Sequence, residues 1–293
     1  LGMQSLKGVG RLIEVYAIKD ESLVVPNPDD YLENKINVHS DDEVPSIAII
    51  PFENKGKEED VFYAYGISAD LISDVSSAGL IRVPSLKRVE EVADLSLDEK
   101  AIKLDVRYTV EGTLWKMKNM FQLSVEFYDT KDKKVVWSDR WQEKWDNLPT
   151  IKINLSDGLL KALDTTSKIE KKVETTNTKA YELYLKATHT YDKRKDTNDT
   201  EAARKLLRQA IELDDNLIIA KIMLGRTYRE MGGYDEAMTI FISAMEQAEK
   251  FGDKISMGRA LIGIGNIHWF KGDYDKAQKY QDRSLKIYEE IGD

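Results

Sequence analysis

Residues 53–60, ENKGKEED, place two lysines and a glycine just ahead of an apolar helical pattern. Lys55, Gly56, Lys57 and the amides that open such a helix have the chemistry to hold an anion. Glu58, Glu59 and Asp60 set three negative charges at the same point, and their repulsion favours a plain solvated turn. Residues 263–268, GIGNIH, have the glycine spacing of a phosphate-binding loop. No strand pattern precedes them, however, and the spacing puts both glycines inside a helix, where small residues serve close packing. The three histidines, His39, His189 and His268, are far apart in the chain, and there is no cysteine. Thiolate nucleophiles, disulfides and a zinc cluster therefore have no material to build on, and a reducing cytoplasm fits the inventory. Trp137, Trp141 and Trp145 recur every fourth residue in a strand-like region, as core and rim rather than as a cofactor box.

The chemistry on offer is thus one of surfaces, and the surfaces depend on how the chain is organised. At 293 residues, 42% hydrophobic and 32% charged, it is long enough for two or three globular domains. Its net charge is −9, but residues 19–43 alone carry eight acidic side chains against two lysines, while residues 178–293 carry 20 acidic against 19 basic. No basic stripe suits nucleic acid, so DNA or RNA binding is not expected. No apolar run approaches the roughly 18 residues that cross a bilayer, so direct membrane insertion is not expected either, and the Gly-Val-Gly near the start does not make a signal peptide.

Residues 6–18, LKGVGRLIEVYAI, read as a turn followed by an apolar, β-branched strand, and nothing in the next thirty residues reads as its partner. Such a strand is expected to belong to a sheet lying mostly outside this sequence, or to add to an exposed sheet edge of its own chain or of a second copy. Residues 20–44, acidic and with two prolines, read as a linker. From 45 to 168 the pattern is β-α-β-α-β-β-β-α: strands at 46–52 and 80–85, a helix over 59–79, and a helix at 96–105 opened by Ser96 with Glu99 three residues on. Three alternating strands follow between 106 and 145, and a helix over 147–168. This predicts a mixed-sheet α/β sandwich.

After Pro149 there is no proline and the apolar spacing is helical throughout. Gly225, Gly232, Tyr234 and Ala237 recur 40 residues later as Gly265, Gly272, Tyr274 and Ala277. Ala203, Leu207 and Ala210 recur 34 residues later as Ala237, Phe241 and Ala244. These residues resemble tetratricopeptide (TPR) repeats, about three of them over 169–293, and the closing IGD resembles the start of a further one, so the array is expected to be truncated there. The fold class expected is therefore multidomain, α/β plus all-α: the mixed-sheet sandwich followed by a TPR helical solenoid. The resemblance implies a concave groove lined by the first helix of each repeat. Counted onto this sequence, its candidate peptide-binding residues are Tyr181, Tyr184, Tyr191, Arg226, Arg229, Arg259, Asn266 and Trp269. Aromatic anchors beside arginines suit a protein or peptide partner with carboxylates, and the acidic 20–44 segment is one candidate ligand.

SIAIIPFEN, YAYGISADLISDVSS, LDVRYTVEGTLWK and LSVEFYDTKDKKVVWSDRW together resemble the TolB-amino-terminal/FlgO-like domain over residues 46–163. That resemblance implies an effector in front of the domain: a class III nucleotide cyclase, a winged-helix DNA-binding domain or a protein kinase. LKGVGRLIEVYAI is similar to the last strand of class III adenylate or guanylate cyclase domains, which implies that residues 1–19 close such a domain. A winged helix also ends in a glycine-rich hairpin, and that reading stays open. None of the paired-aspartate motifs of cyclases occurs here, so no catalytic residue, metal or cofactor is carried over and no cyclase activity is expected of residues 1–293. The reading is a non-catalytic regulatory and protein-interaction region of a cyclase, dimeric if cyclase-like. The competing readings are the regulatory region of a winged-helix transcriptional regulator and a small-ligand sensor in the α/β domain.

Overall fold

The computed structural model describes residues 2–4, 13–15, 44–77, 81–163 and 175–292. The chain divides into two units, Leu1–Glu43 and Val44–Asp293. In the first unit, β1 (Gly2–Gln4) and β2 (Ile13–Val15) form an antiparallel pair, with Met3 opposite Glu14. β2, within the opening stretch, thus has one partner in its own chain, immediately upstream. A three-residue Gly-Met-Gln stretch carries too little pattern to announce a strand. The expected linker, apart from Val44, lies outside the described residues.

The second unit begins with β3 (Ile47–Ile49), all three residues buried, and β4 (Glu53–Asn54). Both lie parallel to the same side of β5 (Tyr108–Met117). β6 (Met120–Asp129) and β7 (Lys134–Lys144) continue the sheet antiparallel in the order β3-β5-β6-β7. The sheet is therefore mixed, as the sequence predicts. The expected strand at 80–85 shrinks to a single parallel bridge, Ser46 to Arg82. Pro84 has no N–H for a ladder, and α2 (Leu86–Glu90) begins two residues later. Residues 78–80 lie outside the described residues.

Two layers cover the sheet. α1 (Val61–Ser76) and α4 (Leu148–Ala162) lay Ile67, Leu71, Leu155 and Leu159 against Ile47, Ile49, Val110, Leu123 and Val125. α2 and α3 (Leu97–Leu104) close a smaller cluster around Ala48, with Val89, Val92 and Leu104. The expected capping box is present: the Ser96 hydroxyl accepts from the Glu99 amide while Glu99 accepts from the Ser96 amide.

Six helices follow: α5 (Thr178–Asp192), α6 (Thr197–Leu213), α7 (Ile218–Glu230), α8 (Tyr234–Phe251), α9 (Lys254–Phe270) and α10 (Tyr274–Gly292). The 40-residue repetition is repeated in the backbone. Gly232 and Gly272 both take φ 80°, Gly233 N–H donates to Tyr228 O at 2.9 Å, and Asp273 N–H donates to His268 O at 2.9 Å. A left-handed residue closing a helix with this i to i−5 bond is what glycine at that position supplies. The apolar core runs without a break from the sheet through α1 into α5, α6 and α7.

One buried ion pair pins the hairpin between β6 and β7. Asp129, 2% exposed, accepts from Arg107 Nη2 at 2.7 Å and from the amides of Lys131 and Asp132 at 3.0 and 3.1 Å. Burial pushes the Asp129 carboxyl up, but Arg107 and the two amides outweigh it and hold it below its ordinary range. Because the folded-state value is depressed, the stabilisation is present above the ordinary carboxylate range and is lost as pH falls through the folded value. Asp129→Ala is expected to cost about 3–5 kcal/mol in urea unfolding at neutral pH, the range for stranding one partner of a buried pair. The gap to the parent chain should narrow as pH falls through the depressed folded value of Asp129, where the parent carboxylate is itself protonated.

Candidate functional site

The first helices of the three hairpins, α5, α7 and α9, carry the eight residues expected to line a groove, and the structure places a helix of the chain itself against three of them, Tyr181, Tyr184 and Arg259. α1 packs on α5 so closely that a Cβ on Gly66 would stand 2.8 Å from Leu185 Cδ2. Glycine at 66 is what permits this approach. Beside that contact lies Asp70, 2% exposed. Tyr181 donates its hydroxyl to Asp70 Oδ2 at 2.8 Å, and Tyr184 donates to Oδ1 at 2.6 Å. Lys152 of α4, also buried, stands 3.6 Å from Asp70 and 3.5 Å from Asp74. Further along α1, Arg259 of α9 donates to Ser73 O at 3.2 Å and Ser77 Oγ at 3.1 Å and lies 4.0 Å from Asp74.

A second polar node sits on α7. Glu230 accepts from the Tyr191 hydroxyl at 2.6 Å, from Arg194 at 3.2 Å and from Arg226 Nε at 2.8 Å, and Arg229 stands 3.6 Å away. Burial pushes the Glu230 carboxyl up, but the bonds from Tyr191 and Arg226 prevail and hold it below the usual carboxylate range. Burial and Glu230 push the Tyr191 hydroxyl up to about 12, so it remains a donor. Nearby, burial raises Asp192 despite Arg226 and Arg194, and Asp192 accepts from Tyr65 of α1 at 3.5 Å.

The sequence-derived residues therefore divide by environment. Tyr181, Tyr184 and Arg259 are engaged with α1; Tyr191, Arg226 and Arg229 gather round Glu230; Asn266 accepts from Gln281 of α10 at 3.1 Å. Trp269 projects 58% exposed at the end of α9, its ring edge-on to Phe270 and Tyr274. The carboxylates that organise both nodes, Asp70, Asp74 and Glu230, were not among the expected residues. Their signal is a charge inside an apolar helical pattern: Asp70 and Asp74, four apart in GISADLISDV, fall on the stripe that carries Ile67 and Leu71.

The two stretches with apparent ligand chemistry are structural. In ENKGKEED, Asn54 accepts from the Gly56 amide at 3.0 Å, Lys55 pairs with Glu53 at 2.5 Å and Lys57 with Glu59 at 3.0 Å, so the lysines are satisfied locally. In GIGNIH, a Cβ on Gly263 would stand 2.6 Å from the Phe241 ring. Trp145 is buried, and Trp137 covers Gly158 of α4. Among the described residues no group of histidines and carboxylates could hold a metal ion, and no helix is long and apolar enough to cross a membrane.

Residues 218–290 match the family described as tetratricopeptide repeat. A curated relative, "Putative adenylate cyclase 3" of Rhizobium meliloti (strain 1021), is 24% identical over 190 residues, or 61% of this chain. The chain spans 32% of the length of that relative. Among solved structures, TolB from Acinetobacter baumannii is 16% identical, with a TM-score of 0.33 over 41% of this chain and 28% of that one. MamA is 21% identical, with a TM-score of 0.33 over 50% and 77%. The protein thus contains TPR repeats behind a mixed α/β sheet, and such repeats generally serve protein–protein contact.

If Asp70 is the tie between α1 and the repeats, Tyr181→Phe with Tyr184→Phe should destabilise the chain measurably. Each phenol-to-carboxylate bond contributes roughly 1.5–3 kcal/mol, so a loss of at least about 3 kcal/mol is expected in urea unfolding when both are removed. In limited proteolysis of the double variant, cleavage between the sheet and α5 should accelerate. The Glu230 node adds a pH dependence of known sign. Its depressed carboxyl stabilises the fold above the ordinary glutamate range, and that contribution is lost as pH falls, so Glu230→Gln should flatten the acid limb of the stability profile.

Proposed function

We propose that this chain is the regulatory, protein-interaction region of a class III nucleotide cyclase, and that the groove of its TPR repeats is the element that receives a partner. On this reading residues 1–19 are the closing strand of the cyclase domain and residues 20–44 the linker. Residues 45–168 are a TolB-N/FlgO-like domain, and residues 169–293 the repeat array. The observation that carries the proposal is α1 seated on α5 and α9 with Asp70 and Asp74 turned to Tyr181, Tyr184 and Arg259. The groove already holds a helix with two carboxylates, which supports an acidic segment as the class of partner it accepts. The TPR match over 218–290 and the curated relative named as an adenylate cyclase support the same assignment.

In this reading α1 is an internal ligand. A partner that starts on the exposed Trp269 and the arginines around Glu230 and extends to Arg259 competes with α1 for that side chain, and the layer to which α1 belongs carries the result toward the cyclase domain. The chain's own residues hold and release a helix; the phosphoryl chemistry belongs to the cyclase domain.

The test is a cyclase assay, with ATP and with GTP, on the full-length protein that contains this chain. It is run on the parent, on a deletion of residues 175–292 and on Asp70→Ala. Activity in the parent that shifts at least about threefold in both variants is the expected result. No cyclase activity in the parent would overturn the assignment to a cyclase, and equal activity in all three would overturn the regulatory role.

A further inference from the structure

The face of the sheet turned away from the α1–α4 layer carries a feature that the groove does not use. Between α2 and α3 lies a cavity of about 600 Å³, within the range of small-molecule sites. Its rim holds Lys87 and Arg88 from α2, Lys103 from α3, Ser85 and a single carboxylate, Glu91. Its floor is the buried pair Val92 and Leu104. In a chain of net charge −9, this lining is net positive by two.

What distinguishes the three cations is how they are left. Several basic residues close by are committed: Arg82 pairs with Asp105 at 3.1 Å, Arg107 with Asp129 at 2.7 Å, and Lys133 faces Asp98 at 3.8 Å, while Lys100 of α3 acts on Glu111. Lys87, Arg88 and Lys103 make no ion pair or side-chain hydrogen bond among the described residues. Ser85, at the N-cap of α2, makes no capping bond with its hydroxyl, which is left as a further donor at the rim. Three unpaired cations that would otherwise repel one another round one recess are stabilised by an anion bound among them.

We propose that this cavity binds a phosphorylated small molecule, with the phosphate oxygens taken by Arg88, Lys87, Lys103 and the Ser85 hydroxyl and a less polar moiety resting on Val92 and Leu104. A doubly charged phosphate or a pyrophosphate matches the charge excess, and guanidinium and ammonium donors together suit its tetrahedral oxygens. A recess with an apolar floor selects a small molecule over an extended polyanion. The site has a route to the repeats: Glu90, the last residue of α2, pairs with Lys193, which follows α5. A ligand that fixes α2 therefore acts on the same helix α5 that holds Asp70.

The experiment titrates the whole chain, residues 1–293, by isothermal calorimetry at low and at physiological salt. The probes are ADP, pyrophosphate, inorganic phosphate and the phosphate-free control adenosine. Saturable one-site binding of ADP or pyrophosphate is expected, weakened at physiological salt, with no binding of adenosine alone. ADP tighter than pyrophosphate assigns the floor to the organic moiety, and equal affinities assign recognition to the phosphates; both support the site. Arg88→Ala with Lys103→Ala, both exposed and therefore compatible with folding, should weaken binding at least tenfold. Glu91→Gln should tighten it a few-fold. Absence of saturable binding by every phosphorylated probe at low salt overturns the proposal, as does affinity unchanged in the double variant. Neither result bears on the groove, which the cyclase assay tests separately.

Discussion

The carboxylate of Asp70 is the constraint from which the rest of this architecture follows. An ionised carboxylate withdrawn from water is costly unless its oxygens are occupied, and here each oxygen receives one phenol from α5 while Lys152 supplies a counter-charge from α4. The donors are placed by different helices, so satisfying Asp70 fixes α1, α4 and α5 relative to one another. A leucine at this position would bury as well and would not distinguish one register of α1 on α5 from the next. The polar contact contributes specificity, while the surrounding apolar core contributes most of the free energy. The close approach at Gly66 works the same way, since it sets the helix separation at which the phenols reach.

The consequence is that sheet and repeats are not beads on a string. TPR-like hairpins usually bury their faces against their neighbours in the array. Here the first hairpin also buries Tyr181, Leu185 and Leu207 in the same core as Ile47 and Leu71 of the α/β layer. Glu230 plays the complementary part further along, collecting Tyr191, Arg194, Arg226 and Arg229 around one carboxylate. Those arginines are held in position by the pairing.

Most of the local structure was legible in the sequence because its causes are local. The Ser96–Glu99 capping box, the alternation of Phe121, Leu123, Val125 and Phe127 along β6, and the 40-residue recurrence of Gly232 and Tyr234 each rest on residues a few positions apart. The strand expected at 80–85 failed where Pro84 removed a donor and α2 intervened. The partner of β2 went unseen because Gly2–Gln4 has no pattern of its own. The seating of α1 on α5 and α9 was illegible for another reason: Asp70 and Tyr181 are 111 residues apart. No window of sequence holds both. Asp70 and Asp74 announced only that something must neutralise them, and the sequence alone left Lys152, Tyr181, Tyr184 and Arg259 unassigned to that task.

If the repeats receive a partner as proposed, α1 sets the terms for it. A tethered helix acts at an effective concentration of order millimolar, so a competing segment must outbind α1 by that margin as well as replace the two phenol bonds to Asp70. Direct displacement at Tyr181 and Tyr184 is therefore the hardest place to begin. On the proposed reading the exposed end imposes no such competition: Trp269 of α9 offers an unburied aromatic surface, and about half of the Arg226 side chain on α7 remains accessible. A partner gains its first free energy there, on residues that α1 does not touch. From that end it can progress toward Arg259, whose bonds to Ser73 and Ser77 grip only the last turn of α1 and its cap. Loosening that turn removes one of the two charges facing Asp74, leaving Lys152, before the buried carboxylate of Asp70 is disturbed. The order of events is thus written in burial, with the exposed aromatic first, the half-buried arginine next and the fully buried carboxylate last.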